Sequence, residues 1–178
     1  MRATIGAALA VALLVLTGCS SDESGAKPSA KQSQAAAVAW SPCDELTADS
    51  VAELVGEPVN EVDGSAEQPR CTFTPQRTGG AAYDLSYLWF DGGLDAALTT
   101  MGAAGSQLEP IEVPGAEAAR IVVDARGEDG LLVTGFVQTE GLVQSVNAVQ
   151  LAPYDEDAVV AGTKALLAEL AAEAPTSP

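Results

Sequence analysis

The sequence predicts an α+β domain, an antiparallel sheet layered with about three helices. Short alternating segments are joined by tight glycine-containing turns, which favours antiparallel pairing. Segments with a helical apolar period lie between and after the strand groups. The resulting order of helix, strands, helix, strands, helix suits a sheet with helices packed against it.

The first helix is expected over residues 48–55, capped by Thr47 and ended by Gly56. Leu46 and Val51 occupy the positions of a hydrophobic staple, and Val51, Leu54 and Val55 make the buried stripe. Residues 58–62 read as a strand, Asp63-Gly64 as a turn, and Cys71 to Thr74 as the returning strand. After Gly79-Gly80, residues 82–90 form the strongest strand pattern. Tyr83, Leu85, Tyr87 and Trp89 share one face of it, and Asp84, Ser86, Leu88 and Phe90 the other. Gly92-Gly93 breaks the pattern, and residues 94–104 suit a second helix. Residues 111–113 read as a short strand, followed by a meander over 118–125, 131–139 and 142–151. The last helix, over 155–173, opens with three acidic residues that complement its dipole and stops before Pro175.

The amino terminus carries a different signal. Arg2 precedes an apolar run that ends in Leu16-Thr17-Gly18-Cys19, the order of an export signal. The tetrad resembles the lipobox of bacterial lipoproteins, which implies cleavage before Cys19 and lipid on its thiol. An uncleaved anchor fits less well, because a spanning helix needs roughly 20 apolar residues and polar Ser20, Ser21, Asp22 and Glu23 follow at once. One acyl chain binds a membrane only marginally, so the two or three chains of a bacterial lipoprotein are what would hold the protein firmly. The expected organisation is a signal peptide (1–18), a lipidated Cys19 with a disordered tether (19–39), one α+β domain (40–174) and a short tail (175–178). The tether is rich in Ser, Ala, Gly, Gln and Lys, and such a chain reaches about 25 Å.

The net charge is −17, and loss of Arg2 with the leader makes the mature chain one unit more acidic. A field of that sign repels phosphate backbones and anionic head groups, so nucleic acid is excluded as a partner. Lipid, with no basic patch to help it, has to do the anchoring. With Cys19 committed to lipid, Cys43 and Cys71 remain, and an even pair in an exported domain reads as a structural disulfide. A redox pair would favour Cys-x-x-Cys spacing.

The chain has no histidine, which removes Ser-His-Asp and Cys-His catalysis and the commonest zinc and copper ligand. There is no Gly-x-Ser-x-Gly elbow, phosphate loop or dinucleotide fingerprint. Asp124, Glu128, Asp129 and Gly130 do not meet the spacing of a calcium loop and read as a hairpin turn. A glycosidase would need two facing carboxylates and sugar-stacking aromatics, and the chain holds only two Trp, three Tyr and three Phe. No cofactor or metal is expected. The aromatic strand is the candidate binding surface, through Tyr83, Tyr87 and Trp89, although such strands more often cover a core.

Pro42-Cys43-x-x-Leu46-Thr47, the helix ending Leu54-Val55-Gly56, and Cys71-x-Phe73 resemble the core of a family of small actinobacterial lipoproteins known only as a domain of unknown function. The alanine- and valine-rich, lysine-poor usage agrees with a high-GC genome. Phe73 stands where that family often has tryptophan. The match covers roughly residues 40–90, and the second half follows by pattern alone. The resemblance implies a cell-surface location and a structural disulfide, and related envelope lipoproteins suggest by analogy a fold similar to PsbP and Mog1 domains. It supplies no catalytic residues. The expected function is a non-enzymatic module, lipid-anchored on the extracytoplasmic face of the cell membrane. It would bind an envelope protein or a small apolar ligand. The alternatives are a carboxylate-dependent cell-wall enzyme and a lipid carrier.

Overall fold

A computed structural model describes residues 40–65, 68–102 and 107–176. The expected signal peptide, Cys19 and the tether lie outside the described residues.

Among the described residues, seven antiparallel strands form a single sheet: β1 Val59–Ser65, β2 Gln68–Pro75, β3 Ala82–Trp89, β4 Glu109–Pro110, β5 Ala118–Ala125, β6 Leu131–Thr139 and β7 Leu142–Gln150. Their spatial order is β1-β2-β3-β7-β6-β5-β4. The helices are α1 Ala48–Val55, α2 Leu94–Thr100 and α3 Glu156–Ala172. The expected α+β class is therefore the observed one. No helix among the described residues is long and apolar enough to cross a membrane.

α1 begins where its sequence says it should. The Thr47 hydroxyl accepts from the Ser50 amide at 3.2 Å, and the Ser50 hydroxyl accepts from the Thr47 amide at 3.0 Å. Two orphan donors of the first turn are thereby satisfied. Glu61 on β1 accepts from the Ala48 amide at 2.9 Å, fixing the helix to the sheet edge. In α3, Asp155 caps the Ala158 amide at 3.1 Å.

α1 and α3 cover one face of the sheet. Register places Phe73 beside Tyr83 and Cys71 beside Leu85, with Ala148 and Val146 next across β7. These side chains meet Val51, Val159, Leu166, Leu167 and Leu170 in the main core. Two glycines let the layers approach closely. A Cβ on Gly135 of β6 would lie 2.6 Å from Leu167 Cδ1, and one on Gly162 of α3 would lie 2.9 Å from Tyr83 Oη. Gln144 is fully buried under the end of α3, where its Nε2 donates to the Leu170 carbonyl at 2.7 Å and its Oε1 has no protein partner.

Three sequence expectations are corrected. Asp63-Gly64 is not the turn, because β1 continues through a bulge to Ser65, which pairs with Gln68. Gly64 suits the bulge, since a Cβ there would collide with the Gln68 carbonyl. The short strand is Glu109–Pro110 rather than 111–113, because Ile111 and Val113 turn inward and pack against the core. The helix α2 stops at Thr100, earlier than expected.

Tyr83 is 2 % exposed. Burial, and then the negative charge of Glu57, push its phenol up from 10.0 to about 12. Glu57 is itself nearly buried, accepting from the Ala81 amide at 2.9 Å and pairing with Arg77 at 2.7 Å. The folded state therefore keeps a proton that the unfolded chain loses near pH 10. The stabilisation is complete below pH 10 and is lost as pH rises toward about 12. Melting temperature measured from pH 8 to 12 should fall across that window, and Tyr83→Phe should make the fall shallower. An unchanged profile in Tyr83→Phe would refute the assignment.

Candidate functional site

The other face of the sheet is only partly covered. α2 lies across one end of it, with Leu94, Ala97 and Leu98 packed on Val143 and ringed by Phe90, Leu108, Ala118 and Phe136. Gln138 locks this arrangement. Its Oε1 accepts from the Leu94 amide at 2.6 Å, and its Nε2 donates to Glu117 at 2.7 Å. Beyond α2 the described residues leave the face bare.

On the bare part, strand alternation turns Val122 of β5 and Leu132, Thr134 and Phe136 of β6 outward. With Leu108 and Gln107 they line an open cleft of about 440 Å³. A volume of that size accepts a small ligand or a few side chains of a partner. Asp124 and Arg126 stand at its rim, joined at 2.6 Å. The hydrogen bond from Arg126 to Asp124 is the main cause raising the guanidinium pKa. The charge of Asp124 adds to it, slight desolvation opposes it, and Asp129 adds a little more. Leu132 and Val122 are half-buried, while Val149 and Leu88, further along the same face, are 45 % and 40 % exposed.

The rest of this face carries a lateral polar network. Asp84 accepts from Thr72 at 2.8 Å and pairs with Arg70 at 3.1 Å. Ser86 and Ser145 share a hydrogen bond of 2.8 Å, and Thr134 donates to Asn147 at 3.0 Å. These contacts fix the polar side chains across the strands and leave the apolar cleft as the feature without a partner among the described residues.

The expected binding residues sit on the opposite side. Tyr83, Tyr87 and Trp89 all face the helix layer. Tyr83 is a core residue with no accessible ring, which removes it from any ligand surface. Tyr87 is half-buried and donates to the Trp40 carbonyl at 2.6 Å, while its ring meets Trp40 edge-on at a centroid distance of 5.1 Å. Burial first, then Asp44, raise the Tyr87 phenol above 10.0. Trp89 is half-buried at the end of β3. This strand therefore clamps the start of the domain.

Cys43 and Cys71 form a disulfide with Cα atoms 5.3 Å apart. It ties the turn at Pro42–Asp44 to β2. Glu61 and Asp63 lie beside it, and the four side chains bring potential ligand atoms within 4.8 Å of one another. The bridge consumes both sulfurs and Glu61 is bonded to Ala48, so the oxidised group does not offer a metal donor set.

A family model described as "Protein of unknown function (DUF3558)" matches residues 14–173. The chain belongs to this family. Neither a curated protein nor a solved structure matches it. The cleft residues Leu108, Val122, Leu132 and Phe136 escaped the sequence reading because alternation identifies two faces without saying which one the helices cover.

Proposed function

We propose that the protein is an exported lipoprotein of the actinobacterial type, anchored through lipid on Cys19, whose domain is a non-enzymatic binding module. The observation that carries the reading is the bare, apolar-floored cleft on the open sheet face. The anchor rests on the Leu16-to-Cys19 tetrad and the low-complexity segment that follows it. Trp40 is held at Tyr87, toward the end of β3 that pairs with Leu142, whereas the cleft lies toward the opposite ends of β5 and β6 and on the other face. Trp40 and the cleft thus lie toward opposite ends and on opposite faces of the sheet. The enzymatic alternative has less support, because Asp84, the carboxylate at the centre of the open face, is already held by Arg70 and Thr72.

Purified protein screened against envelope lipids, cell-wall fragments and envelope proteins should yield a binder that shifts the amide resonances of Leu108, Val122, Leu132 and Phe136. Leu132→Glu should weaken that binder by about tenfold or more, since burying a leucine side chain is worth roughly 1.5–3 kcal/mol. Its melting temperature should stay close to that of the wild type. Binding that maps elsewhere and ignores Leu132→Glu would overturn the proposal.

A further inference from the structure

The cleft adjoins a strand edge that the sheet leaves unfinished. β4 pairs with β5 only at Glu109–Ile121 and Pro110–Arg120, while β5 runs on to Ala125. The Ala119 carbonyl accepts from the Ile111 amide at 3.2 Å, so Ala119 directs its backbone groups away from β6. By the two-residue period of a strand, Val123 and Ala125 point their backbone N–H and C=O outward as well. Among the described residues no strand pairs with them on that side. Such an edge is a template for one more strand.

Two further observations select an occupant. A smaller hollow of about 130 Å³, lined by Gln107, Glu109, Ile121, Val122 and Val123, sits along this edge and beside the larger cleft. An added strand would therefore set one alternate series of side chains, apolar, against Val122 in the cleft and the other series beside Val123, which is 38 % exposed on the other face. The surrounding charge is negative. Glu109, Glu128 and Asp129 are exposed there, while the nearby cations are engaged, Arg126 with Asp124 and Arg120 with Asp95.

We propose that the β5 edge from Val122 to Ala125 docks an extended basic peptide segment of a partner protein by strand addition. Its alternate apolar residues occupy the cleft and its lysines or arginines face the acidic rim. This inference rests on the cleft being the binding site and names the class of its occupant. Main-chain hydrogen bonds to Val123 and Ala125 supply register, and the side-chain hollows supply selectivity. Opposite charge raises the encounter rate and makes binding weaken as salt increases.

The test uses purified unacylated protein carrying Cys19→Ser and three probes: a short peptide alternating Lys and Val, its Glu-Val counterpart, and the Lys-Val peptide N-methylated at alternate residues. The Lys-Val peptide should bind and slow hydrogen exchange at the Val123 and Ala125 amides. The Glu-Val peptide and the N-methylated peptide should each bind at least about tenfold more weakly, the first through charge and the second through lost backbone donors. Equal binding by the N-methylated peptide, or binding without slower exchange at Val123, overturns strand addition without requiring any change to the protein. If a neutral apolar dye binds the cleft and none of the peptides does, the peptide inference fails while the cleft remains a binding site. If neither dye nor peptide binds, both fail.

Discussion

Reduction of the Cys43–Cys71 disulfide should lower the unfolding free energy by about 3–4 kcal/mol, the chain-entropy value for a loop of this length. The bridge closes a sequence separation of 28 residues. That loop contains α1 and β1, and the short turn at Pro42–Asp44 reaches the sheet mainly through Cys43 and Leu46. Opening the bridge frees the unfolded chain and also loosens the start of the domain, including the Trp40–Tyr87 contact. Urea denaturation with and without a phosphine reductant reads the difference, and Cys43→Ser should reproduce it. Midpoints that coincide would show that the domain start is held by other contacts.

The second large effect is expected at Gln144. Gln144→Glu places a carboxyl where nothing is exposed and where Leu170 presents its carbonyl. Protonated, the new group can donate to that carbonyl as the amide does. Ionised, it faces an acceptor in a site with no solvent exposure, and fully buried glutamates reach a pKa of about 8. The folded value then lies above the unfolded one, so stability is intact below about pH 4 and falls as pH rises toward 8, the cost at pH 7 being about 3–4 kcal/mol. Gln144→Leu removes both side-chain polar atoms but leaves the Leu170 carbonyl without its donor, and should cost about 1–3 kcal/mol, the same at either pH. Thermal unfolding of both variants at pH 4 and pH 7 decides the point. A variant Gln144→Glu that is equally stable at both pH values would mean that the site admits water.

Local chemistry was legible and long-range pairing was not. Thr47, Val51 and Gly56 delimit α1 because capping, staple and left-handed exit are written in adjacent residues. The alternation of β5, β6 and β7 gave the meander, and that of β3 separated Tyr83 and Leu85 from Asp84 and Ser86. Nothing local shows that β3 pairs with β7 rather than with the strand following it in sequence. That pairing, together with the docking of α3 on β6 and β7, decides which face is closed. The aromatic face of β3 therefore has the sequence pattern of a binding surface, while the cleft between Leu108 and Phe136 has no local signature. The Cys43–Cys71 bridge was readable by parity, but the Trp40–Tyr87 clamp joins residues far apart in the chain and leaves no local mark.

The strand order has a consequence for how the chain comes to be folded. Ala82 to Trp89 finds its second neighbour only at Leu142 to Gln150, so the seam of the sheet joins segments made at very different times during synthesis. Until residue 150 is free, the early and late strand groups are separate ribbons, each with an unfilled side, and the covering helix α3 comes later still. Non-local closure of this kind is slow relative to helix formation. A polypeptide built in this order acquires its finished shape only after nearly all of it has been made.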